Sequence, residues 1–286
     1  MLLYWKPVAE KIKKELQEKN KKFFSEGLQF LAILFFWDNT SSAVYVKSKK
    51  KYGDEIWLKT IVYGQEEWKI RDKERVLGLI DELNKNPNCV WIMIQLPLPD
   101  NLKEYKTLLL QAITPEKDVD GLWGTLVGKS FFNFLNFIPA TPKAVLTLLD
   151  YYDLWEVKNK KVAILWQSTI VWKPLALELL KRGAQTACFD INNTPWEIKT
   201  YCQSADYIFS ATGHIHLIDE SYLSWKNNQI IIDIGYWHKD WMAVGDVNRE
   251  NIEDKVLHLS PVPWGVGPLT IASLFSNIFD LWEQFH

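Results

Sequence analysis

Apolar residues along this chain fall into two alternating rhythms: short unbroken runs, and longer stretches that repeat with the pitch of a helix. Val8, Ile12 and Leu16, with charges between them, predict a surface helix between Met1 and about Ser25. Leu28 to Phe36 is continuously apolar and predicts a strand buried on both faces. Asp38, Asn39 and Thr40 then supply turn and N-cap side chains for a helix over roughly residues 41 to 56. A strand at Thr60 to Tyr63 leads to a helix around Asp72 to Asn84, whose apolar stripe is Val76, Leu77, Leu79, Ile80 and Leu83. Val90 to Gln95 reads as a strand, stopped by the prolines of Leu96-Pro-Leu-Pro99, and a helix follows near residues 103 to 112.

The second half repeats the alternation. A helix from Pro142 to Tyr152 precedes strands at Val162 to Leu165, Gln185 to Phe189, Tyr207 to Ala211 and Ile230 to Ile234. Pro268 to Phe285 is a last amphipathic helix. Strands alternating with helices predict an α/β fold. We expect an N-terminal three-layer α/β domain over 1–140, a C-terminal Rossmann-type doubly wound parallel sheet over 141–267, a cleft between them, and a C-terminal helix over 268–286 that returns to the first domain. No internal repeat or low-complexity segment interrupts this plan.

At 286 residues and 48% hydrophobic content the chain can bury two modest cores. A net charge of -2 gives no reason to expect nucleic acid or an anionic membrane as partner. Cys89, Cys188 and Cys202 are too few and too scattered for a disulfide framework or a metal site, which suits a reducing cytoplasm. The opening Met1-Leu-Leu-Tyr-Trp-Lys-Pro lacks the long apolar run of a signal peptide or membrane span.

Tryptophan changes the picture. The chain carries 15 Trp against 13 Gly, although glycine ordinarily makes up about 7% of residues. Trp37, Trp57, Trp91, Trp123, Trp166, Trp172 and Trp264 stand in contexts that call for glycine rather than at core periodicity. The run Lys161 to Leu180 shows why this matters. A buried strand, a tight turn and an apolar-periodic helix form the opening of a dinucleotide-binding unit, whose turn needs glycine so that backbone can approach a pyrophosphate. Here Trp166 and Trp172 occupy those positions. We read the pattern as a UGA codon that the source organism decodes as glycine and that has been translated as tryptophan. Genuine indoles there would block the loop.

With glycine at those two places, the segment closely resembles the cofactor loop of the methylenetetrahydrofolate dehydrogenase/methenyltetrahydrofolate cyclohydrolase family. Tyr45-Val-Lys-Ser-Lys49, Gln95-Leu-Pro-Leu-Pro99, Lys117-Asp-Val-Asp-Gly121, Pro139-Ala-Thr-Pro142 and Pro261-Val-Pro-Trp-Gly-Val-Gly-Pro268 are similar to further family motifs, in order. The resemblance implies a bifunctional enzyme of one-carbon metabolism that serves purine biosynthesis. It would oxidise methylenetetrahydrofolate with NADP or NAD and hydrolyse the methenyl product, as a cytoplasmic homodimer acting on tetrahydrofolate derivatives. A relative with one activity, or a dead folate- or nucleotide-binding protein, is the alternative if the tryptophans are genuine.

Residue by residue, the resemblance makes Lys49 the general acid/base, a role that needs a lysine neutral near pH 7. Read alone, Lys49 is a solvated basic helix end. Tyr45, four positions earlier, would stack on the aminobenzoyl ring, Gln95 would hold the lysine, and Asp120 would accept from the pterin. Pro261, Val262, Pro263, Gly265 and Gly267 would wall the pterin and nicotinamide. Trp166, Gln167, Ser168, Ile170 and Val171 would form the phosphate loop, with Thr212 and Gly213 beside the cofactor. Asp190, just past the second strand of this half, is placed like an acid that accepts from a ribose 2′-hydroxyl and repels a 2′-phosphate, which leans toward NAD. No metal is implied.

Overall fold

A computed structural model describes residues 1–23, 28–36, 40–64, 72–122, 124–166, 172–235, 237–239, 242–263 and 265–285. The chain parts into two compact units, one of Lys11–Ala140 with Ile271–His286, the other of Met1–Glu10 with Thr141–Thr270. Its first helix, α1, spans Trp5–Phe23 and buries Val8, Ile12 and Leu16.

In the first unit β1 (Phe30–Leu34), α2 (Thr40–Glu55), β2 (Lys59–Tyr63), α3 (Lys73–Lys85), β3 (Cys89–Ile94), α4 (Lys106–Ala112) and α5 (Gly124–Phe131) follow in turn. The strands form a parallel sheet in the order β2-β1-β3. Side chains alternate across a strand, and both faces of β1 are dry. Phe30, Ala32 and Leu34 pack with Val76, Ile80 and Leu83 of α3 and Leu109 of α4, while Leu31 and Ile33 are equally buried on the other side. That explains the unbroken apolar run. Asp72 caps α3 by accepting from Arg75 N at 2.9 Å.

In the second unit α6 (Ala140–Tyr151), β4 (Lys161–Trp166), α7 (Trp172–Lys181), β5 (Gln185–Phe189), α8 (Pro195–Ser204), β6 (Tyr207–Ala211) and β7 (Ile230–Asp233) lead to the short antiparallel pair β8 (Trp237–Lys239) and β9 (Met242–Val244). Then come α9 (Arg249–Ile252), β10 (His258–Ser260) and α10 (Val266–Phe285), which from Ile271 on belongs to the first unit. Five parallel strands run β10-β7-β6-β4-β5. The order reverses beside β4, and such a reversal places ligands at the carboxyl ends of the strands.

Two tryptophans are informative. Trp57 follows α2 with φ 60. Leu58 N donates to Gly53 O and Trp57 N to Asp54 O, the paired bonds of a helix end whose left-handed residue is normally glycine. Trp91 corrects the expectation made for it. It lies within β3 at 1% exposure, with its ring 6.1 Å from that of Trp282, and is a core residue. Trp37, Trp123 and Trp264 lie outside the described residues.

Candidate active site

Helix α2 carries Tyr45 and Lys49 one turn apart on the same face. Gln95 immediately follows β3 and extends its ladder, donating from its backbone N to Leu34 O at 2.8 Å. The Gln95 side-chain nitrogen donates to its neighbour's carbonyl, Leu96 O, at 2.7 Å. Its Oε1 is thereby turned toward α2, where it accepts from Lys49 Nζ at 2.8 Å. Burial pushes the Lys49 pKa below the ordinary lysine value, and the nearby Asp120 carboxylate partly restores it. Burial likewise pushes the Asp120 carboxyl up, with Lys49 pulling it back down.

Asp120 owes its place to a loop fastened on three sides. Asp118 bridges to Ile92 of β3, and its Oδ1 accepts from Gly121 N at 3.1 Å. Gly121 has φ 64, and a Cβ there would lie 1.9 Å from Phe137 Cε1. From α10, Asn277 Nδ2 donates to Val119 O at 3.2 Å and to Ile138 O at 3.0 Å. Lys117 faces away from the chemistry. Its ammonium donates to the carbonyls of Leu83, Asn84 and Asn86 at 3.0, 2.6 and 3.0 Å, closing the end of α3.

In the second unit, Trp166 ends β4 and Trp172 begins α7. Gln167, Ser168, Ile170 and Val171 lie outside the described residues. Beyond the carboxyl ends of β4, β5 and β6 opens a pocket lined by Leu165, Phe189, Asp190, Thr212 and His214 among others. The Asp190 carboxylate is oriented by accepting from Asn192 N at 2.8 Å. Apolar walls with an oriented acid and a hydroxyl fit the adenosine part of a dinucleotide. Pro261, Val262, Pro263, Gly265 and Gly267 belong to this same unit. A Cβ on Gly265 would lie 2.3 Å from Ser260 Oγ and 2.6 Å from Pro261 O, so close backbone packing requires glycine there.

The sequence profile of the tetrahydrofolate dehydrogenase/cyclohydrolase catalytic domain matches residues 3–120, and that of the same family's NAD(P)-binding domain matches 139–286. This chain belongs to the tetrahydrofolate dehydrogenase/cyclohydrolase family. The bifunctional protein FolD of Aquifex aeolicus (strain VF5) is 34% identical over 287 residues, covering 99% of this chain and 96% of that protein. The crystal structure of the bifunctional enzyme FolD, methylenetetrahydrofolate dehydrogenase/cyclohydrolase, from Campylobacter jejuni has a TM-score of 0.90 at 34% identity, with 100% of this chain and 99% of that one covered. The bifunctional 5,10-methylenetetrahydrofolate dehydrogenase/cyclohydrolase of Thermoplasma acidophilum has a TM-score of 0.88 at 26% identity, with 99% and 98% covered. Membership favours an active NAD(P)-dependent enzyme over a dead binding relative.

Within the family fold, sequence reasoning passed over two acids of the second unit, Asp233 and Asp246. Both are buried among backbone amides at the strand ends. The available signal was an Asp closing an Ile run two residues before Gly235, and another directly after Gly245.

Proposed function

We propose that this chain oxidises methylenetetrahydrofolate to the methenyl form with a bound nicotinamide dinucleotide, and hydrolyses the methenyl form to formyltetrahydrofolate. The observation that carries the reading is the Lys49–Gln95 hydrogen bond beside Asp120, made by a lysine whose pKa burial lowers. A neutral amine that donates one hydrogen to Gln95 keeps its lone pair free to act as a base. Lys49 takes a proton from the water that adds to the cationic methenyl carbon. It returns that proton to the ring nitrogen as the carbon–nitrogen bond breaks, and the remaining hydroxyl proton leaves to solvent as the formyl carbonyl forms on the other nitrogen. Asp120 accepts from the donor edge of the pterin, and Tyr45 supports the aminobenzoyl ring.

For the oxidation, a nicotinamide dinucleotide would supply the hydride-acceptor chemistry, and no protein acid or base is required. The chain's part is to hold the dinucleotide: Thr212 and Gly213 at the end of β6, Asp190 at the end of β5, and the loop from Trp166 to Val171. Pro261 to Gly267 would wall the reacting rings. We place the enzyme in the cytoplasm as a homodimer, a state that size-exclusion chromatography with light scattering would test. Among the described residues no helix is long and apolar enough to cross a membrane.

The test follows each reaction by absorbance, with each folate supplied separately. Wild-type protein should catalyse both, and Lys49→Met should abolish hydrolysis. An unaltered cyclohydrolase rate in that variant would remove Lys49 from its role.

A further inference from the structure

Three loops at the carboxyl ends of the second unit's strands converge on one pair of carboxylates. Asp246 Oδ2 accepts from Ser210 Oγ at 2.9 Å and from Thr212 N at 2.5 Å, and its Oδ1 accepts from Gly213 N at 3.1 Å. Asp233 Oδ1 accepts from Gly235 N and Asp246 N, both at 3.1 Å, and its Oδ2 from Val247 N at 3.0 Å. Asp246 is 0% and Asp233 2% exposed. The fit is reciprocal. A Cβ on Gly235 would lie 2.1 Å from Asp246 Oδ1, and one on Gly245 would lie 1.9 Å from Asp233 Oδ2. Each glycine is therefore required by the carboxylate beside it.

A buried acid is costly unless its oxygens are satisfied. Here they are satisfied largely by the amides of the turn that borders the nucleotide pocket, which Thr212 and His214 line. The turn gains direction as well as stability. With its N–H groups committed inward to Asp246, the Thr212–Gly213 backbone is fixed, and His214 N in turn donates to Thr212 Oγ1 at 3.2 Å. Burial, with Asp246 beside it, pushes the Asp233 carboxyl up to about 8, against the pull of the backbone amides it accepts from.

We infer that Asp246, tethered by Ser210 and backed by Asp233, is a positioning residue of the dehydrogenase that presents the Thr212–Gly213 turn to the nucleotide. This rests on the reading of that pocket as the dinucleotide site. An amide at position 246 would turn its NH2 toward one of the three donors and release part of the turn. Ser210→Ala is milder, removing one donor and leaving the charge.

The experiment uses the full-length protein, with NAD and NADP as probes and both activities measured on each preparation. Asp246→Asn should raise the nucleotide KM about tenfold, equivalent to about 1.4 kcal/mol. Saturating nucleotide should restore kcat, and the cyclohydrolase rate should stay within about twofold. Ser210→Ala should raise the same KM by a smaller factor, about threefold. A parallel fall of both activities, or a wild-type nucleotide KM in a folded Asp246→Asn protein, would overturn the inference. If Asp246→Asn does not accumulate as folded protein, Ser210→Ala decides, and an unchanged KM there overturns it. Wild-type protein that reduced neither nucleotide would sink the dinucleotide reading itself, a result distinguishable from either variant's failure.

Discussion

Lys49 and Gln95 meet across 2.8 Å, and the glutamine has no freedom to turn its amide around, because its nitrogen is already bound to the Leu96 carbonyl. The ammonium therefore faces an acceptor that carries no charge. Nothing in that contact compensates burial as a carboxylate would.

The first prediction is a pH profile. The Lys49 pKa is lowered by burial and raised in part by Asp120, so hydrolysis that needs the free amine is weak at low pH and climbs as pH rises through the lowered value. Asp120→Asn removes the raising influence and should move the half-rise to lower pH. Gln95→Glu adds a negative charge and should move it higher. The readout is cyclohydrolase kcat at saturating folate from about pH 6 to about pH 10. Profiles that stay in place in both variants would show that the limb does not belong to Lys49.

Lys117 should matter for stability. Lys117→Met strands the three carbonyls it satisfies at the end of α3, at a cost of roughly 1–3 kcal/mol. Chemical denaturation followed by circular dichroism would measure it. A variant as stable as wild type would show that water replaces the ammonium freely.

Asp190 should set the choice of nucleotide. Its carboxylate, oriented by Asn192 N and lining the pocket, accepts well from a 2′-hydroxyl and poorly tolerates a 2′-phosphate. Wild-type protein should favour NAD, and Asp190→Ser should improve kcat/KM for NADP roughly tenfold, about 1.4 kcal/mol. Steady-state kinetics with a large wild-type preference for NADP would defeat the assignment.

Trp57 tests the origin of the tryptophans. Its left-handed backbone, φ 60, costs a side-chain-bearing residue about 1–2 kcal/mol. The contact of Lys21 Nζ with its ring, at 5.0 Å, returns only about 0.5–1 kcal/mol at an exposed site. Trp57→Gly should therefore raise the thermal midpoint slightly. The genetic counterpart is the codon at positions 57, 166, 172 and 264: TGA there, with a correspondingly lower intact mass of the natively made protein, supports glycine, and TGG refutes it.

Much of the architecture was legible because burial on both faces leaves a plain mark. The apolar run around β1 and the strand runs ending at Gln95 and Ala211 were visible as strands for that reason. Residue spacing also placed Tyr45 and Lys49 on one helical face. Helix α8 went unread although Thr194-Pro-Trp-Glu197 spells a capping box, which the structure closes in both directions. Trp91 was misread because a glycine context in sequence says nothing about tertiary packing, here burial within β3 against the ring of Trp282. Asp233 and Asp246 each leave a local mark beside a glycine, but their pairing was invisible for a different reason. Their meaning lies in three loops that approach one another only after the sheet has assembled, and no local spacing encodes that.

The Lys117 plug has a consequence for anyone borrowing this fold. In the run Lys117 to Gly121, Asp120 and Lys49 act on each other's charge, whereas Lys117, Asp118 and Gly121 are fasteners that hold the acid there. Such a signature is half instrument and half bracket. Transplanted into a foreign host without the terminus of α3, the pentapeptide would bring a cation with nowhere to dock and an acid pointing in no particular direction.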